Sequence, residues 1–134
     1  MKSITLTADV KSIPALTDFI NNELESRNCL IKTVTQIDIA VDEIFSNIAF
    51  YAYGKRGGEA SVFVEVTDEP AVILRFEDRG VPYDPLTQEA PDISLPVEKR
   101  SIGGLGIHIV RQLMDEVTYE YRDGKNILRV KKFF

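Results

Sequence analysis

The sequence predicts an α/β (α+β) two-layer sandwich, in which a mixed, mostly antiparallel sheet is covered on one face by helices. Three observations lead there. Five short segments are β-rich or alternate polar with apolar residues, and three others repeat their apolar residues at three- and four-residue steps. The order is β-α-α-β-β-loop-α-β-β, so strands neighbour strands and two helices stand together. Strict βαβ alternation is absent, which argues against a doubly wound parallel sheet. The 134 residues suit one domain with a real core and are short for two.

SITLTAD (3–9) sets Ile4 and Leu6 against Ser3, Thr5 and Thr7, the pattern of a half-buried strand. Ser12 is placed to cap a helix with Pro14 in its first turn, and Ile13, Leu16, Ile20 and Leu24 form its apolar stripe. Thr33 and Gln36 have capping-box spacing. Val34, Ile37, Val41, Ile44 and Ile48 then continue one face of a second helix, with Gly54 as its expected end. KRGGE (55–59) reads as a turn. ASVFVEV (60–66) and AVILRFE (71–77), joined by TDEP, read as an antiparallel pair. From Gly80 to Gly103 no period holds, and four of the six prolines fall there. So long a loop predicts a flexible functional lid, spanning about 81–103. A short helix is expected from about 104 to 115, burying Leu105, Ile109 and Leu113. VTYEYR (117–122) and KNILRVK (125–131) flank Asp123-Gly124, a hairpin signal.

Composition narrows the function classes. Hydrophobic residues at 44% and charged residues at 28% are ordinary globular values. A net charge of −5 with mixed signs argues against direct nucleic-acid binding as the main activity. Cys29 is alone, so no intrachain disulfide can form. Neither a signal peptide nor an 18-residue apolar run is present, so no membrane association and a cytoplasmic location are expected.

Three constellations carry chemistry. In VDEIFSNIAFYAYG (41–54), Glu43 and Asn47 are four apart and share a helix face offset from the apolar stripe. The same pattern fits a solvated pair, or a cleft wall offering a general base and a ligand for a hard cation. In FEDRGVPYDP (76–85), Asp78 and Gly80 end a strand. They suit an ordinary turn, or a carboxylate that accepts a hydrogen bond from a ligand amine beside a bare backbone. In SIGGLGIHIV (101–110), Gly103, Gly104 and Gly106 open a helix whose first N–H groups lack partners. They serve close packing or an anion, and Lys99 and Arg100 just upstream favour the anion.

Taken in order, the Glu-x-x-x-Asn helix, the Asp-x-Gly strand end, the lid and the glycine-rich helix start resemble the Bergerat-type ATP-binding fold. Gyrase B, the heat-shock chaperone ATPase, histidine kinases and mismatch-repair ATPases share it. Within it, length, element order and LPVEKRSIGGLGIHIVRQLMDEV (95–117) are most similar to the anti-sigma-factor serine/threonine kinases of partner-switching systems. The resemblance implies a protein serine/threonine kinase that uses ATP and Mg²⁺ and phosphorylates an anti-sigma-factor antagonist. A sigma factor is implied as a second partner, and a homodimer as the assembly. Glu43 would be the base that activates the attacking hydroxyl, and Asn47 the Mg²⁺ ligand. Asp78, beside Gly80, would read the adenine amine. Gly103, Gly104, Leu105 and Gly106 would face the phosphates, with Arg100 reaching the γ-phosphate. Two departures stand out: Tyr51 replaces a histidine common one turn beyond the Asn, and GKNI (124–127) replaces a Gly-Thr-Thr-like run, with Asn126 in a threonine's place. Tyr51 and Tyr53 read as packing residues. The alternatives are an ATP- or ADP-binding interaction module with little catalysis, and a detached histidine-kinase catalytic domain.

Overall fold

A computed structural model describes residues 1–87 and 104–134, the side chains of Gly104 and Leu105 excepted. Arg100, Gly103 and most of the expected lid lie outside the described residues. Strands β1 (Lys2–Thr7), β2 (Glu59–Thr67), β3 (Ala71–Asp78), β4 (Glu116–Arg122) and β5 (Lys125–Phe133) form one sheet in the order β1-β2-β3-β5-β4. Every pairing in it is antiparallel. Helices α1 (Ile13–Ser26), α2 (Ile31–Tyr51) and α3 (Gly104–Leu113) supply the second layer. The expected sandwich is therefore correct, with no parallel pair among the described strands.

Period two decides which side chains meet the helices. Val62 and Val64 on β2, Val72, Leu74 and Phe76 on β3, and Leu128 and Val130 on β5 are buried in the same cluster as Leu16, Ile20, Ile37, Val41, Phe45 and Val110 of the helices. The same alternation puts Phe63, Arg75 and Arg129 on the other face, where Arg75 stacks 4.1 Å over the Phe63 ring. Continued to the strand ends, the period sends Asp78 and Asn126 toward the helix layer, and the register pairs them directly. The β4–β5 hairpin turns at Asp123 (φ 55°) and Gly124 (φ 77°), the two left-handed residues that a tight type I′ connection requires.

Three local expectations fail. Ser12 makes no side-chain cap; Asp9 instead accepts the Lys11 N–H at 2.8 Å and starts a short 3₁₀ turn ahead of α1. Thr33 is buried and caps nothing, because α2 begins two residues earlier, at Ile31. The reason lies at the end of α1. Asn28 takes a left-handed φ of 58°, with Cys29 N–H bonded to Leu24 O and Asn28 N–H to Glu25 O. That is a Schellman turn, and it delivers the chain straight into a new helix. Gly54 is not the end of α2 either: the helix stops at Tyr51, and Gly54 opens a separate 3₁₀ turn. Among the described side chains of α3 the buried apolar ones are Ile107 and Val110, followed by Met114 just past its end; Ile109 and Leu113 are only half-buried, and the Leu105 side chain lies outside the described ones.

Candidate functional site

Glu43 and Asn47 lie one turn apart on α2, flanking the buried Ile44. They face the first turn of α3, because α3 packs directly on α2. The contact depends on Gly106. A methyl group there would stand 2.7 Å from Glu43 Oε2 and 3.7 Å from Asn47 Nδ2. Two sequence constellations thus meet at one point, beside a helix N-terminus whose first N–H groups have no intrahelical partners. Burial pushes the Glu43 carboxyl above its ordinary value, and the neighbouring Asp42 carboxylate adds to the rise. Neither Glu43 nor Asn47 is hydrogen-bonded to a described residue.

The other end is built differently. Asp78, 7% exposed, accepts from Gly80 N–H and from Asn126 Nδ2, both at 2.9 Å and both on Oδ1. A side chain at Gly80 would stand 2.2 Å from the Ala52 carbonyl oxygen, so glycine allows the backbone after β3 to touch the end of α2. Val81 N–H bonds to that same Ala52 oxygen at 2.8 Å. Tyr53, read as a packing residue, is a polar tie: its hydroxyl accepts Arg79 N–H at 2.7 Å and donates to Glu59 O.

Between the two ends lies a cavity with apolar walls, including Ile44, Ile48, Phe76, Ile107 and Leu128. Asn47, Asp78 and Asn126 are its non-aromatic polar lining. Tyr51, Tyr83 and Tyr119 also line it. Tyr51, read from the sequence as a packing residue, is 46% exposed and lines the cavity. Sequence reasoning missed Tyr83 and Tyr119 entirely. An apolar slot with a few convergent polar groups suits a flat heteroaromatic ring. Asp78 Oδ2 takes no hydrogen bond from a described residue, and an acceptor of that kind suits a ring that carries an N–H donor.

The donor set also fits a nucleotide's metal. Asn47 offers one amide oxygen, a sufficient protein share for Mg²⁺, which takes further oxygens from phosphates and water. Among the described residues no group of three or more His, Cys, Asp or Glu gathers into a metal cluster of its own.

Residues 6–132 match the histidine kinase-like ATPase domain. The chain belongs to that family. Among curated proteins it is 29% identical over 102 residues to the serine-protein kinase RsbW of Bacillus cereus strain AH187. The figures for the same-named protein of Bacillus thuringiensis subsp. konkukian are identical. Both matches cover 73% of this chain and 63% of the relative. RsbW of Listeria monocytogenes is 28% identical over 105 residues, covering 75% of this chain and 66% of the relative. The chain thus spans just under two thirds of the Bacillus relatives it matches. Of the described residues singled out from sequence, Asn47 and Asp78 line the cavity, while Glu43 and Gly106 meet beside Asn47. No helix among the described residues is long and apolar enough to cross a membrane.

Proposed function

We propose that this protein is an ATP-dependent serine/threonine protein kinase of the anti-sigma regulatory type, acting on an anti-sigma-factor antagonist. The observation that carries the reading is the meeting of Glu43, Asn47 and Gly106 at one end of a cavity whose other end is Asp78. Simple nucleotide binding needs a ring pocket and phosphate donors. It does not need a carboxylate held at the transfer end, with burial and Asp42 raising its proton affinity.

Each residue has a defined task. Asp78 accepts a hydrogen bond from the adenine amine through its open oxygen, while Gly80 lets the backbone close on Ala52. Asn47 holds Mg²⁺ through its amide oxygen. Gly103, Gly104, Leu105 and Gly106 offer main-chain N–H groups to the phosphates, with Arg100 as a further positive charge. Glu43 takes the proton from the partner's serine hydroxyl, and its affinity for that proton is already increased by desolvation. Bound Mg-ATP supplies the electrophilic phosphoryl group, so the protein's share is positioning and charge stabilisation. The name serine-protein kinase carried by the relatives supports a serine acceptor. A sigma factor as second partner, a homodimer, a cytoplasmic site of action and one domain closed by a lid at about 81–103 complete the reading.

The test is radiolabelled ATP with the purified protein and small antagonist proteins encoded nearby. Label on an antagonist serine is the expected result. Nucleotide binding without transfer to any candidate would select the interaction module instead.

A further inference from the structure

Asn126 is the most densely bonded side chain of the site, and it sits where the resemblance places a threonine. Its Nδ2 donates to Asp78 Oδ1 and to Val81 O, both at 2.9 Å, with Gly80 O at 3.5 Å. Its Oδ1 accepts Tyr83 N–H at 3.0 Å and the Tyr119 hydroxyl. An amide has two N–H donors and two acceptor lone pairs, so all four are in use. The orientation is fixed by the partners. Turning the amide over would set its oxygen against a carboxylate and a carbonyl, and its NH₂ against a backbone N–H. A side chain saturated by the protein and 7% exposed has nothing left to offer a ligand.

We propose that Asn126 is a positioning residue. It ties the ring-reading carboxylate of Asp78 and the turn Val81–Tyr83 into one unit, with no hydrogen-bonding group left for the nucleotide. The inference rests on the nucleotide reading above and adds two consequences. Because both donors converge on Oδ1, Asp78 presents Oδ2 as a fixed acceptor, which selects rings bearing an amine over rings bearing a carbonyl at that place. Because the same amide holds Tyr83, an altered Asp78 also loosens the chain that leaves β3.

Asn126→Asp is the sharpest probe, since it keeps shape and both acceptors and removes both donors. It places a second carboxylate beside Asp78, where two such groups cannot both ionise easily. A proton shared between them at low pH restores the lost donor. The other titratable and charged groups nearby include Tyr119 and Tyr121 on β4, Tyr83 and Asp84 in the turn, Tyr51 on α2, Tyr53 and Arg79, and Glu59, Glu77 and Lys125 on the sheet. All of these are common to both proteins and cancel when variant and wild type are compared at each pH. Calorimetry with ADP and GDP is expected to show the variant binding ADP about 10- to 100-fold more weakly at pH 8, the loss of a hydrogen bond to a charged group. The ADP preference should shrink, and most of the deficit should disappear near pH 5.5. Amide exchange at Tyr83, measured without nucleotide, should quicken at least about tenfold at pH 8.

Variant affinity, ADP preference and Tyr83 exchange equal to wild type at both pH values would overturn the inference. A deficit that ignores pH would also overturn it, marking Asn126 as a mere packing residue. If Asn126→Asp does not fold, Asn126→Thr replaces it, since one hydroxyl cannot make four bonds. Quickened Tyr83 exchange is then expected, and unchanged exchange is fatal. Failure of the wild type to bind ADP would instead remove the nucleotide reading, and with it the ligand half of this inference.

Discussion

The two ends of the cavity are held in opposite ways. At the Asp78 end, Asn126, Gly80, Val81 and Tyr83 are bound to one another or to the end of α2, and the carboxylate is aimed before any ligand arrives. At the Glu43 end, two polar side chains reach one point beside the start of α3 with no hydrogen bond to a described residue. Recognition of a rigid ring gains from fixed partners, because fixed partners lose little freedom on binding. A proton acceptor must stay able to exchange its partner during the reaction. On the proposed reading, the contrast is a division between a preformed reader and an adjustable reactive end.

Substitutions at the two ends should separate cleanly. The largest effect is expected from Glu43→Gln, which should lower phosphate transfer by about 10²- to 10⁴-fold. ADP affinity should stay within a few-fold of wild type. Equal transfer rates in a quenched-flow assay would show that the adjustable end is not reactive. Next comes Gly80→Ala, which forces a methyl group into the Ala52 backbone oxygen and should cost about 1–3 kcal/mol in urea unfolding. Gly106→Ala meets only the mobile tip of Glu43, and alanine suits a helix better by about 0.5–1 kcal/mol. Its stability should hold or rise while transfer falls. Two equally damaged proteins would erase the distinction between rigid and adjustable ends.

The smallest effect is in pH dependence. Desolvation, then Asp42, raises the Glu43 pKa in the folded protein, so folding favours its protonated form. That contribution is present in acid and is lost as pH rises through the raised value. Glu43→Gln should therefore melt no lower than wild type at pH 8, and slightly higher if the carboxylate is strained there. The acid limb of the transfer rate should lie above the ordinary glutamate range, since the base works only when ionised. A limb within that range would mean that Glu43 is better solvated than its packing against α3 indicates.

The sheet was legible because its strands are β-rich or alternate over most of their length, and the Asp123-Gly124 signal marked its last hairpin. Glu43, Asn47, Asp78 and the glycines were legible as local patterns, and the resemblance supplied their order. What escaped was set by long-range geometry. The start of α2 depends on Asn28 adopting a left-handed conformation, so the capping spacing of Thr33 and Gln36 misled. In α3 the expected Ile109 and Leu113 are half-buried while Ile107 and Val110 are buried, because a ten-residue helix carries apolar residues at 107, 109, 110 and 113 and its period alone does not choose among them. The roles of Asn126, Tyr83 and Tyr119 arise from three separate segments meeting in space, and no spacing in the sequence encodes that.

One consequence concerns α2 itself. The helix carries Glu43 near its middle, and the Ala52 carbonyl just beyond its last turn grips the chain after Asp78. Nine residues at the helical rise make about 13 Å along the axis. On the proposed reading, the rod is a ruler that holds the Asp78 end and the Glu43 carboxylate at a set span. A compound that fills the slot beside Asp78 but is too short for that span would occupy the cavity without reaching the Glu43 carboxylate.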